Sequence, residues 1–147
     1  MSTTTTTIKP SLTIKRRFNA PPGKVFAAWA DPEKMKHWMG PAGTQRIEAA
    51  CDVRVGGRYD IRMIMTGSEH DVGGVYREIV PNEKLVFTWA WKSTPERESL
   101  VTVTFKQDGA GTIMTLQHEQ FFDDETRDRH NAGWLGTMER LEKYLAQ

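Results

Sequence analysis

The chain has 147 residues, enough for one domain that buries roughly two thirds of its unfolded surface. Its 20 basic and 19 acidic side chains leave a formal net charge of +1, so neither nucleic acid nor an anionic membrane finds the electrostatic footprint it needs. A single cysteine, Cys51, excludes an internal disulfide and zinc sites built on paired cysteines, and no apolar run approaches the roughly 18 residues of a membrane span, so a cytoplasmic location is expected.

Met1–Thr7 is a polar, threonine-rich tail that can bury almost nothing; disorder is expected there, followed by one domain over 8–147. β-Branched and alternating residues from Ile8 to Phe18 predict a first strand, stopped by Asn19-Ala20-Pro21-Pro22. Pro22 then opens a helix that gathers Val25, Phe26 and Trp29 on one face. Asp31-Pro32 restarts the chain as N-cap and first-turn proline of a second short helix. Met35, Trp38 and Met39 follow at the spacing of a buried stripe, and Gly40-Pro41 ends it.

Beyond this pair the period changes from helical to alternating. Gly56-Gly57 separates Gln45–Val55 from Arg58–Met65 as a hairpin would, and four more strands are read at Val72–Val80, Lys84–Lys92, Ser99–Lys106 and Thr112–His118. Pro81-Asn82, Thr94-Pro95 and Asp108-Gly109 mark turns between them. Tyr59, Ile61, Met63 and Met65 share one face, as do Leu85, Phe87, Trp89 and Trp91, and as do Met114, Leu116 and His118. On 72–80 the parity is ambiguous: Tyr76 and Glu78 fall on one side, Val75 and Ile79 on the other, and a bulge near Gly73-Gly74 would decide between them.

Helical period returns at the end, where His130, Trp134, Met138, Leu141 and Leu145 recur every three or four residues after the acidic start Asp123-Asp124-Glu125. A helix from Asp123 to Leu145 extends roughly 30 Å and can cross a whole sheet face. The expected class is α+β: an antiparallel sheet of six to seven strands curved around a long C-terminal helix, with two short helices after the first strand.

That order, with the residues that carry it, resembles the helix-grip fold of the START and pollen-allergen (SRPBCC) superfamily. More narrowly it is similar to single-domain relatives of the activator of heat-shock-protein-90 ATPase. The matching stretches are Ala20–Trp29, Asp31–Pro41 with Trp38-Met39-Gly40-Pro41, Asp52–Tyr59 with Gly56-Gly57, Gly74–Trp89 and Gly133-Trp134, so the resemblance spans Ile8 to Leu145. It implies a deep pocket between sheet and long helix, used across the superfamily for apolar ligands. A chaperone partner ranks behind a small ligand, because the true co-chaperones carry an additional N-terminal domain with no counterpart here.

Five tryptophans and seven methionines are generous for this length, and both types fill irregular apolar space. The expected ligand-contacting set is Trp38, Met63, Met65, Tyr76, Trp89, Trp91 and Trp134, with His118 and His130 meeting any polar group of the ligand. No catalytic residue, metal ligand or cofactor is assigned. His118, Glu119 and His130 lack the H-E-x-x-H arrangement, Cys51 has no basis for lying beside a histidine, and the glycine pairs lack the strand-to-helix setting of a phosphate loop. The leading reading is a binding module for a small apolar molecule. A polyketide cyclase or hydrolase-like enzyme and a chaperone-interacting protein are the alternatives, and a homodimer is left open.

Overall fold

Seven strands hydrogen-bond side by side into one sheet, in a computed structural model that describes residues 9–147. The Met1–Thr7 tail and Ile8 lie outside the described residues. In chain order the elements are β1 (Leu12–Phe18), α1 (Pro22–Ala30), α2 (Pro32–Met35), β2 (Arg46–Cys51), β3 (Arg58–Met65), β4 (Ser68–Val80), β5 (Lys84–Trp91), β6 (Ser99–Asp108), β7 (Gly111–Glu119) and α3 (Asp124–Leu145). The strand order across the sheet is β1-β7-β6-β5-β4-β3-β2, and every neighbouring pair is antiparallel. The sequence resembling a helix-grip protein does adopt that arrangement. No helix among the described residues is long and apolar enough to cross a membrane.

Local chemistry sets the boundaries. Asp31 caps α2 by accepting the Glu33 amide at 2.9 Å, and Asp123 caps α3 by accepting the Thr126 amide at 2.8 Å. The second helix is shorter than its buried stripe suggests, because α2 ends at Met35 and turns carry the chain to Gly40, whose φ of 98° few other residues adopt. Trp38 is fully buried in those turns, donates its indole N–H to the Ala28 carbonyl at 3.1 Å and packs edge-on to Trp29 with ring centres 4.8 Å apart. It therefore pins the 36–40 segment onto α1.

The parity question on β4 has an answer that neither alternative contained. Tyr76 pairs with Phe87 but Glu78 pairs with Val86, so Arg77 is an extra residue in a bulge. The bulge flips the alternation. Tyr76 is buried and Ile79 half-buried, while Glu78 turns outward and meets Lys84 at 3.2 Å. An inward Tyr76 therefore does not carry the Glu78 carboxylate into the core.

The core lies on the sheet face covered by α1 and α3. Met138 and Leu141 of α3 are fully buried, as are Val101 and Val103 of β6 and Met114 and Leu116 of β7. The other face carries ion pairs such as Arg62 with Asp71 at 3.1 Å and Lys92 with Asp60 at 2.8 Å.

Candidate functional site

Between the sheet and the N-terminal half of α3 the side chains do not close up, leaving a cavity of about 550 Å³. β3 contributes Met63 and Met65, β5 contributes Trp89 and Trp91, and α3 contributes His130, Gly133 and Trp134. Met39 and Pro41 close one end, and Phe121 and Phe122, on the connection from β7 to α3, stand at another part of the wall. Gly133 is a mid-helix glycine whose absent Cβ would meet no atom within 4 Å, so the helix presents bare backbone to open space.

Three of the expected contact residues lie elsewhere. Trp38 is locked against α1 as described. Tyr76 borders a separate void of about 10 Å³ between β3, β5 and α1, too small for an organic molecule. His118 is fully buried behind the wall, between the indole of Trp134 and the ring of Phe121. Periodicity gave the correct sheet face for His118 and left that of Tyr76 open, and one face serves both the packed core and the cavity.

The two histidines have fixed and opposite tautomers. Trp134 donates its indole N–H to His118 Nδ1 at 3.0 Å, so His118 carries its proton on Nε2 and donates it to Ser99 Oγ at 2.7 Å. Ser99 donates its own hydroxyl hydrogen bond to the Trp89 carbonyl at 3.0 Å. At His130, Trp91 donates to Nε2 at 2.9 Å, which places the proton on Nδ1, bonded to the Thr126 carbonyl at 2.8 Å. Each imidazole is neutral and both nitrogens of each are engaged. Burial pushes His118 well below the ordinary histidine pKa, with His130 adding to the effect, and burial likewise lowers His130.

These tautomers decide the chemistry. Ser99 beside His118 has the contact distance of a nucleophile and its base, yet the nitrogen facing the serine already holds a proton and cannot accept another. Cys51 is no better placed: it is half-buried, and desolvation raises its thiol away from the reactive thiolate. Among the described residues, no three of His, Cys, Asp and Glu converge as metal ligands would.

Several wall residues escaped the sequence reading. Phe121 and Phe122 sit in a connection with no periodicity to mark them, and Ser99 was read only as the start of a strand. Arg97 and Arg129, which also line the cavity, are indistinguishable in sequence from solvated surface charges. Gly133 was the available signal, since an uncapped glycine inside a helix costs about 1 kcal/mol and calls for a reason.

Residues 19–146 match the model of the family described as activator of Hsp90 ATPase homolog 1-like protein. No functionally curated protein is similar enough to count as a match. A solved protein from Rhizobium loti is 30% identical, with 94% of this chain and 98% of that one covered and a TM-score of 0.73. The solved AHSA1 protein of Silicibacter pomeroyi is 27% identical over 93% of this chain and 98% of its own, with a TM-score of 0.79. A protein of Chromobacterium violaceum, at 24% identity, shares the fold with a TM-score of 0.81 over 93% of this chain and 97% of that one.

Proposed function

This chain belongs to the activator of Hsp90 ATPase homolog 1-like family, and from that premise and its cavity we propose that it holds one small, largely apolar molecule between sheet and C-terminal helix without changing it chemically. The observation that carries the reading is the cavity itself. Protein interiors pack to the density of organic crystals and leave few voids larger than a water molecule, whereas this one is about 550 Å³, within the range of ligand pockets. Its walls are mainly indole, thioether and phenyl groups, and a helical glycine keeps one wall thin.

The engagement of both ring nitrogens on each of the two buried histidines, His118 and His130, supports binding over catalysis. A general base needs an unprotonated nitrogen facing its substrate, and on His130 and His118 that nitrogen is taken by Trp91 and Trp134, which leaves only the exposed His70 at the rim. The Ser99–His118 contact is the one observation that favours a hydrolytic reading. It would require His118 to exchange its tautomer and abandon the Trp134 indole.

Titration with a neutral apolar dye such as Nile red tests the proposal. Saturable binding at one molecule per chain, with quenching of tryptophan fluorescence, is expected, and Met65→Trp should weaken it at least tenfold by filling the cavity in a chain that still unfolds cooperatively. Non-saturating uptake, or unchanged affinity in a folded Met65→Trp protein, transfers the argument to surface interaction and thus to a protein partner.

A further inference from the structure

The cavity's charged wall residues are of one sign. Arg97, on the loop between β5 and β6, and Arg129, in the first turns of α3, both line it, and no aspartate or glutamate does. Arg97 places its guanidinium carbon 3.9 Å from the centre of the exposed Phe122 ring, spanning the gap between its own loop and the connection into α3. These residues form the mouth.

The nearby carboxylates are spoken for or point away. Asp123 accepts from Thr126 as helix cap, at 2.8 Å from the amide, which together with the Arg97 and Arg129 charges nearby lowers its pKa. It sits outside the wall, Glu98 reaches Arg77 at 3.9 Å, and Glu96 is exposed and also outside the wall. Glu125 holds Arg129 at 3.1 Å, but both side chains are largely exposed, and such a pair is weak enough to be exchanged for a better acceptor. Among the described residues Arg97 has no carboxylate within ion-pairing distance. Deeper in, the wall is apolar and the imidazole of His130 is neutral.

We infer that the molecule held is an amphiphile with a carboxylate head, its apolar body against Trp89, Trp91 and Trp134 and its head at the mouth between Arg97 and Arg129. The inference rests on the cavity reading and adds the sign of the ligand's charge to it. A guanidinium presents parallel N–H groups that match the two oxygens of a carboxylate, and at the edge of an apolar space such charge-assisted bonds are screened less than on open surface. Stacking on Phe122 keeps the Arg97 guanidinium over the opening while leaving its N–H edge free. A cationic amphiphile would instead meet two like charges with no wall carboxylate to offset them.

Calorimetric titration with decanoate, decanol and decyltrimethylammonium, which share a tail and differ in head charge, tests this in the wild-type chain and in the double variant Arg97→Gln with Arg129→Gln. Decanoate should bind at unit stoichiometry at least tenfold more tightly than decanol. That preference should shrink with added salt and disappear in the double variant, which then binds decanoate and decanol alike. Equal affinity for the two in the wild type, a preference that survives in the double variant, or tighter binding of the cation overturns the inference while leaving the apolar cavity reading in place. Failure of all three probes to bind a folded wild-type chain overturns both.

Discussion

Gly133 and Gly136 lie three residues apart in α3, and replacing each with alanine separates the intrinsic cost of a helical glycine from the space around it. Both substitutions gain the same propensity, about 0.8–1.0 kcal/mol for alanine over glycine in a helix interior. A Cβ at position 133 meets nothing within 4 Å, so Gly133→Ala should realise the full gain. A Cβ at position 136 would stand 3.1 Å from the Ala42 backbone nitrogen, tighter than ordinary contact. The segment bearing Ala42 cannot retreat freely, because Arg140 donates to the Met39 carbonyl at 2.6 Å and to the Gly40 carbonyl at 3.1 Å. Gly136→Ala should therefore fall short of Gly133→Ala by at least ~0.5 kcal/mol, the cost of a small displacement or a strained contact. Urea unfolding without ligand reads both values, and thermal scans should place Gly133→Ala about 2–4 °C above wild type. Equal gains at the two positions, or a destabilised Gly133→Ala, would refute the claim that helix backbone faces open space at Gly133.

Trp134 both borders the cavity and packs on Trp29, Trp89 and His118, so Trp134→Ala should cost about 3–5 kcal/mol in urea unfolding. A loss under ~1 kcal/mol would mean that the ring merely overlooks empty space. Trp134→Phe retains most of the ring but leaves His118 Nδ1 without its donor, an expected loss of about 1–3 kcal/mol. Stability should also fall on mild acidification. Both histidines titrate below the ordinary value of 6.5 in the folded chain, so just below that pH the unfolded state binds more protons than the folded one. Their contribution is complete above about pH 6.5 and is lost as the pH drops towards the folded values, with a limiting slope of ~1.4 kcal/mol per pH unit for each histidine. A urea midpoint that stays level between pH 7.5 and 5.5 would contradict the neutral, fully bonded imidazoles.

Much of the architecture was legible because period and punctuation agreed. The alternation Tyr59, Ile61, Met63, Met65 places Tyr59, Ile61 and Met63 on the buried face, and Asp123 begins α3 as its cap. What failed was whatever depends on a single extra residue or on depth beneath a face. Nothing in the letters around Arg77 distinguishes a bulge there from one at Gly73-Gly74, yet its position alone turns Glu78 out to Lys84. Likewise, Trp38 and Trp89 read alike as large apolar residues. Only the third dimension shows that one fills the gap beneath α1 and the other fronts the cavity. The roles of Phe121 and Phe122 are set by a connection whose path depends on where α3 docks.

The uneven anchoring of α3 has a kinetic consequence. Its C-terminal half is fastened by Met138, Leu141 and Leu145 in the core, by Arg140, and by Lys24, which donates to the Leu145 carbonyl at 3.0 Å. Its first turns border the void and are tied to the sheet through His130, which accepts from Trp91 at 2.9 Å, with the Arg97–Phe122 stack beside the opening. Local opening costs least where few apolar contacts must be broken. The entrance thus coincides with the part of the molecule that can fray while the rest stays folded. Guest exchange can proceed by a partial lifting of that end, at a rate independent of global unfolding.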